Sequence, residues 1–345
     1  MPAAARYASF SAPNGWVHIE AKPGAKIHLL TPNTGVNVRI WKGGLVAATV
    51  LTVLLASAGV SSAAANVSYN IWTWNVAGWT MHRGSTSNGL IDVISDSIRN
   101  RSTHLAALNE LCWGQYKAVQ ANLRATNWGE DPEDYSRFES TNDTGCGGEK
   151  SGIALFSKAP MGTANRITLP DDGRVEKRKL LCAPLEARPH LRFCTTHITT
   201  SSDTIGSGPI NQQQLDAVRA HVDAFNANGD TVIIAGDFNA QPSYNRLDKW
   251  YAQSVNNANN PNNTGAHREL DDRDSRCVGY GENSQDDGIP AGPCGPGKKV
   301  DLIFVREIKI VGAYDGDSLS ISNNCGGACS DHRIVIGSVT VTVAS

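Results

Sequence analysis

Eight polar side chains close apolar runs along this sequence: Asn75, Glu110, His197, Asp237, Asn239, Asp301, Asp331 and His332. Taken singly, each has an ordinary explanation. Asp and Asn are common turn residues, and a Glu after a hydrophobic run often caps a helix or faces water. Eight of them at the ends of successive runs are harder to ascribe to capping. Carboxylates and an amide are hard oxygen donors that suit Mg²⁺, Mn²⁺ or Ca²⁺. Two histidines titrate near neutral pH and can carry protons. A hard cation, several carboxylates and two histidines suit phosphoryl chemistry. The cation neutralises phosphate oxygens, and a His–Asp pair activates water.

These residues need elements to position them. The clearest is 232–239, Val-Ile-Ile-Ala-Gly-Asp-Phe-Asn. Its first four residues read as a buried strand, and Gly236 is expected to end the run with a tight turn. Asp237 and Asn239 then stand at the carboxyl end, where sheet-built enzymes place reactive groups. Residues 67–76 alternate and are rich in aromatic and β-branched side chains, which predicts a strand ending near Asn75. The apolar spacing over 90–98, 116–123 and 212–225 predicts three helices. A short apolar run at 104–108 delivers Asn109 and Glu110, and 152–156 reads as a strand. Runs at 180–185 and 191–198 flank Arg188-Pro189 and predict a hairpin that ends at His197. Strands at 300–305 and 334–343 complete the pattern, and 126–149, 199–209 and 254–297 read as loops. A loop as long as the last is usually functional or mobile. Strands and helices alternate, yet adjacent apolar hairpins also occur. Two packed sheets covered by helices satisfy both, an α/β fold.

Residues 44–60 carry no charge, follow Arg39 and Lys42, and precede Ala63-Ala64-Ala65. Positive flank, short apolar core and small-x-small end predict a secretory signal cleaved after Ala65. A membrane anchor is the weaker reading, because about 17 uncharged residues, many of them Ala, Gly or Ser, fall short of a span. The leader is long, and a start at Val36 or Val38 would leave one of roughly 30 residues. The expected organisation is therefore a signal peptide with an N-terminal extension over 1–65, then a single domain over 66–345. The leader takes five basic residues and Glu20 from totals of 31 and 33, leaving 66–345 with 26 basic and 32 acidic residues, net −6. That balance argues against nucleic-acid binding by bulk positive charge but permits a local basic groove.

The eight cysteines all follow the leader. An even count in an exported chain suggests disulfides. No two stand in Cys-x-x-Cys spacing, which argues against zinc. The hairpin sets Cys182 opposite Cys194. Cys325 with Cys329 and Cys277 with Cys294 make local loops, and Cys112 with Cys146 remains by elimination.

The ordered set Trp-Asn75-Val, Leu-Asn-Glu110-Leu, Thr-Thr-His197, Gly-Asp237-Phe-Asn239, Val-Asp301-Leu-Ile-Phe and Ser-Asp331-His332 resembles the endonuclease/exonuclease/phosphatase superfamily, in a secreted, bacterial-type form. The likeness spans 71–336. It implies the four-layer α/β/β/α sandwich of deoxyribonuclease I-like proteins, with the site at one edge of the paired sheets. It also implies roles. Glu110 would bind the divalent metal, Mg²⁺ or Mn²⁺ with Ca²⁺ the third choice, helped by Asn75 and Asp331. His332, oriented by Asp301, would be the general base. His197 would hold the phosphate or protonate the leaving oxygen, while Asp237 and Asn239 position nucleophile and phosphate. The chain departs from the pattern at Asn109, where the family motif has Gln. It departs also at Cys112, where deoxyribonuclease members have an Arg that contacts DNA. Their Tyr and Glu before the strand at 152–156 are missing too; Gly148, Glu149 and Lys150 stand there. That strand is equally similar to its sphingomyelinase counterpart.

Three functions are expected in descending order. The first is a secreted, monomeric metal-dependent nuclease cutting DNA or RNA. The second is a phosphodiesterase or phosphatase for lipid headgroups or small phosphate esters. The third is a binding module, which is disfavoured because no catalytic residue is missing.

Overall fold

The protein is described here from a computed structural model, which covers residues 6–12, 15–21, 64–293 and 295–345. Arg6–Ala12 and Gly15–Ala21 form an antiparallel hairpin of their own. The apolar run of the expected leader, 44–60, lies outside the described residues.

From residue 64 onward, two six-stranded sheets carry the fold. The first is built from β1 (Ala65–Asn75), β2 (Leu105–Cys112), β3 (Ser136–Cys146) and β4 (Glu149–Ser157) together with β11 (Ile310–Ser318) and β12 (Val335–Val343), in the order β11-β12-β1-β2-β4-β3. The second is built from β5 (Asn165–Thr168), β6 (Lys179–Leu185), β7 (Arg188–Thr196), β8 (Thr231–Asp237), β9 (His267–Glu269) and β10 (Asp301–Arg306), in the order β9-β10-β8-β7-β6-β5. Helices α1 (Leu90–Asn100) and α2 (Trp113–Ala125) cover the first sheet, and α3 (Ile210–Ala227) covers the second. The expected four layers are present.

The alternation of side chains sorts each central strand between layers. In β8, Ile233 and Ala235 face the core between the sheets, while Val232 and Ile234 face α3. In β1, Ile71 enters that same core, and Trp72 and Trp74 pack under α1 and α2. Strands buried on both faces must read as continuous apolar runs. That is why 232–235 carries no polar residue.

The expected strands and helices form, with shifted ends. Three expected loops need correction. Residues 126–149 contain β3, 199–209 contain the small hairpin Thr204–Ile205 with Gly208–Pro209, and 254–297 contain β9 and the strand Gln285–Gly292. β5 and β11 also arise where no strand was expected. Gly236 does not end β8. It lies inside the strand, and a Cβ there would sit 2.3 Å from the Thr196 carbonyl oxygen. The glycine serves close strand approach rather than a turn.

Cys112–Cys146, Cys182–Cys194 and Cys325–Cys329 are disulfides, and Cys182 and Cys194 are register partners in the β6–β7 hairpin, as expected. Cys277 is also disulfide-bonded, whereas its expected partner Cys294 lies outside the described residues.

Candidate active site

The two sheets bring their polar strand ends to one edge. In the second sheet His197 pairs with Asp237, and Asp237 pairs with Asp301, so three reactive side chains occupy neighbouring strands at one level. In the first sheet Asn75 pairs with Asn109 at the ends of β1 and β2. Glu110 comes next, where the β2–β4 register shifts between Leu108 and Leu111. Its φ of 55° is unusual for a non-glycine residue. Such bulges re-aim a side chain beside active sites.

The Asp237 carboxylate is the hub. Its Oδ2 accepts from Asn75 Nδ2 at 3.1 Å and lies 3.4 Å from His197 Nε2 and 3.9 Å from His332 Nε2. Asn75 Nδ2 also donates to Glu110 Oε1 at 3.0 Å. Asn239 is tied in by its backbone N–H, which donates to Asp237 Oδ1 at 2.9 Å, and by its side-chain amide, which donates to the Ile198 carbonyl at 2.8 Å. On the other side His332 Nδ1 is 2.7 Å from Asp301 Oδ2. The turn bearing His332 is pinned to β1, because Ser330 Oγ accepts the His332 N–H at 3.0 Å and donates to the Asn75 carbonyl at 2.7 Å. Seven of the eight expected site residues are thus linked. The eighth, Asp331, is exposed at the margin. No hydrogen bond or ion pair holds its side chain among the described residues, yet its charge still acts on Glu110 and His332.

The electrostatics are those of crowded carboxylates. Burial and the neighbouring Asp301 push the Asp237 pKa up to about 7, against the charge of His332. Burial also raises Glu110, with Glu176 and Asp331 adding to it and the Asn75 hydrogen bond opposing. Burial works to lower the His332 pKa, but Asp301, Asp237 and Asp331 outweigh it and push it up to about 10. His197 is held well below its usual value by burial and by the charges of Arg178 and His332.

Carboxylates driven toward protonation by burial and by one another are relieved by a cation. The Asp301 Oδ1 atom is buried without a hydrogen-bond partner, and Asp237, Asp301 and His332 offer ligand atoms within 4.8 Å of one another. His332 Nδ1 is already engaged by Asp301. Glu110 and Asn75, which are hard oxygen donors beside that cluster, fit a divalent cation better. When bound there, such a cation supplies charge neutralisation to phosphate oxygens.

Several residues of the site escaped the sequence. Arg178 has only 8 % exposure; its Nε and Nη1 make no hydrogen bond, while Nε lies 4.0 Å from Asp172 Oδ2 and Nη2 lies 3.3 Å from Glu176 Oε2. It stands among the charged Glu176, Lys177 and Lys179, where no apolar pattern singles it out. Glu176 Oε1 lies 3.9 Å from His197 Nδ1. Ser284 Oγ donates to Asp301 Oδ2 at 2.8 Å, and Gln285 Nε2 lies 3.1 Å from His332 Nε2. Both belong to the polar 254–297 stretch, where no pattern marked them out.

The comparisons agree with this fold. No curated protein sequence matches the chain. The fold is similar to the human nocturnin catalytic domain with bound sulfate, at TM-score 0.56 and 12% identity over 81% of this chain and 98% of that one. It is similar to an endonuclease/exonuclease/phosphatase from Bacteroides vulgatus, at TM-score 0.54 and 14% identity over 80% and 99%. Truncated TDP2 from Caenorhabditis elegans gives TM-score 0.51 and 13% identity over 79% and 97%. The model of the Endonuclease/Exonuclease/phosphatase family matches residues 72–332, a span that begins three residues before Asn75 and ends on His332. The chain belongs to the endonuclease/exonuclease/phosphatase family and is a metal-dependent phosphoric ester hydrolase.

Proposed function

We propose that the protein is a secreted, divalent-metal-dependent nuclease that hydrolyses phosphodiester bonds, with DNA as its first substrate and RNA as its second. The observation that carries the chemistry is the Asp301–His332 pair at 2.7 Å, set 3.9 Å from a carboxylate that Asn75 ties to Glu110.

His332 presents Nε2 to the water nucleophile, while Asp301 holds Nδ1 and so fixes the ring. Of the carboxylates that raise the His332 pKa, Asp331 would also help hold a cation with Glu110 and Asn75, and such a cation would offset its charge. His197, kept neutral by burial and Arg178, suits holding a phosphate oxygen better than protonating the leaving group, since that acid must begin charged. Asp237 and Asn239 set the line between water and phosphorus. Arg178, whose Nε and Nη1 make no hydrogen bond in the fold, supplies guanidinium N–H groups to a phosphate oxygen. Export is supported by the uncharged run at 44–60 and by three described disulfides.

A lipid-headgroup or small-ester phosphodiesterase is the second reading. It is favoured by Cys112, which is locked to Cys146 where a DNA-contacting Arg was expected.

The test is hydrolysis of plasmid DNA, RNA, sphingomyelin and bis(p-nitrophenyl) phosphate by the purified protein, with Mg²⁺ and with EDTA. DNA cleavage abolished by EDTA is expected. Sphingomyelin cleavage alone would overturn the nuclease reading in favour of the second. Glu110→Gln should lose at least tenfold in rate, about 1.4 kcal/mol, and recover in part at high metal.

A further inference from the structure

A second polar cavity lies on the α3 face of the second sheet. It has a volume of about 290 Å³, and its lining includes Arg219 and Asp223 of α3, Lys249, His267 of β9 and Arg306 of β10. β10 runs from Asp301 at the catalytic edge to Arg306 at its other end, and His267 is the register partner of Arg306. The cavity is therefore at the end of β10 remote from His332.

Its charges do not cancel. Asp223 is taken up by Arg219, whose Nη1 donates to it at 3.0 Å. Lys249 and Arg306 have no hydrogen-bonding or ion-pairing side-chain partner among the described residues, and two cations remain uncompensated. His267 is 1 % exposed, and its ring nitrogens make no well-aligned hydrogen bond, although the Trp250 backbone acts on the ring. The Nε of Arg219 is buried and unpartnered as well. A buried polar atom left unmatched is costly, so the Arg219 Nε and the poorly matched His267 ring on one cavity call for a ligand. Two free cations, a guanidinium N–H and an imidazole N–H form a donor-rich, cationic set. The acceptor that matches it is a tetrahedral oxyanion of charge −2. The volume sits at the lower end of ligand pockets, which start at roughly 300 Å³. That leaves room for a phosphate group with a small body attached.

We propose that this cavity is a binding site for a phosphate group, free or carried on a small molecule, separate from the catalytic edge.

Isothermal titration of the full-length protein with ribose 5-phosphate and with inorganic phosphate tests it, against NaCl of matched ionic strength. The His197→Ala background separates this site from the catalytic edge. In that background, Lys249→Gln with Arg306→Gln should weaken phosphate binding at least tenfold, while Arg306→Lys, which keeps the charge, should retain it. In the otherwise native enzyme the same pair of changes should leave diester hydrolysis unaltered. Tighter binding of ribose 5-phosphate would identify a carried phosphate and tighter binding of inorganic phosphate the free ion. Binding that is insensitive to Lys249 and Arg306, that vanishes with His197→Ala alone, or that NaCl abolishes equally would overturn the site.

Discussion

The side-chain oxygen of Asn109 accepts the backbone N–H of Asp237 at 2.9 Å, joining the end of β2 in one sheet to the end of β8 in the other. Its Nδ2 donates to Thr195 Oγ1 at 3.2 Å. One fully buried amide thus fixes the spacing of the two sheets where Glu110, His197 and Asp237 converge. Asn109→Ala leaves the Asp237 N–H and the Thr195 hydroxyl without that partner. Stability should fall by about 1–3 kcal/mol in denaturant titration. The folded remainder should hydrolyse diesters at least tenfold more slowly. An unchanged rate in folded protein would show that the strut is only structural.

His197 and His332 flank the same Asp237 oxygen. His197→Ala and His332→Ala should each reduce diester hydrolysis by more than about a hundredfold. Groups that act as a unit are not additive, so the double variant should be little worse than either single one. Circular dichroism of each variant checks that the loss is chemical. Should one single variant keep a near-native rate on a substrate with a good leaving group, that histidine is not the base.

Arg178 offers a different signature. Its unmatched nitrogens already carry a desolvation cost in the folded protein. Arg178→Met keeps much of the stem and removes that cost together with the Asp172 and Glu176 contacts. The melting temperature should hold or rise while kcat/KM falls at least tenfold, the pattern of a residue retained for function rather than stability. A parallel fall in both would assign Arg178 to the fold instead.

His267 makes stability depend on acid. Burial lowers its pKa from 6.5 to about 4, with Arg306 and Arg219 also lowering it and Asp223 opposing. The folded state therefore binds this proton less readily than the unfolded state. The stabilisation is complete above pH 6.5 and is lost as pH falls toward 4, by up to about 3 kcal/mol. His267→Phe should flatten this part of the pH–stability profile. A profile identical to the native one over that window would refute the assignment.

Within the two six-stranded sheets, the strands that the sequence patterns missed are β3, β5, β9 and β11, and these four are the sheet edges. A central strand is buried on both faces and declares itself through apolar residues, as 232–235 does. An edge strand is held by one hydrogen-bond ladder and keeps polar side chains. β3, Ser136–Cys146, carries Asn142, Asp143 and Thr144 and still pairs with β4. The catalytic residues were legible because each ends a central strand or stands in the Ser-Asp-His turn. Arg178 and Asn109 act through contacts between distant segments, which spacing along the chain does not reveal. The 254–297 stretch hid its order in ionic contacts. Lys299 is 1 % exposed, with Glu269 at 3.0 Å and Asp271 at 2.8 Å, and no hydrophobic pattern announces such a cluster.

β12 lies between β11 and β1, so the last strand completes the sheet beside the first. Trp74 donates to the His332 carbonyl across 258 residues of chain. A ribosome adding about 5–20 residues per second needs roughly 13–50 s to make that stretch. For most of that interval Asn75 and Glu110 exist without His332, the base of the proposed mechanism. On that mechanism, hydrolytic power arrives in a late step, when Val335–Val343 closes on Ala65–Asn75. A chain interrupted before that step is then expected to be catalytically silent, however well its earlier strands have folded.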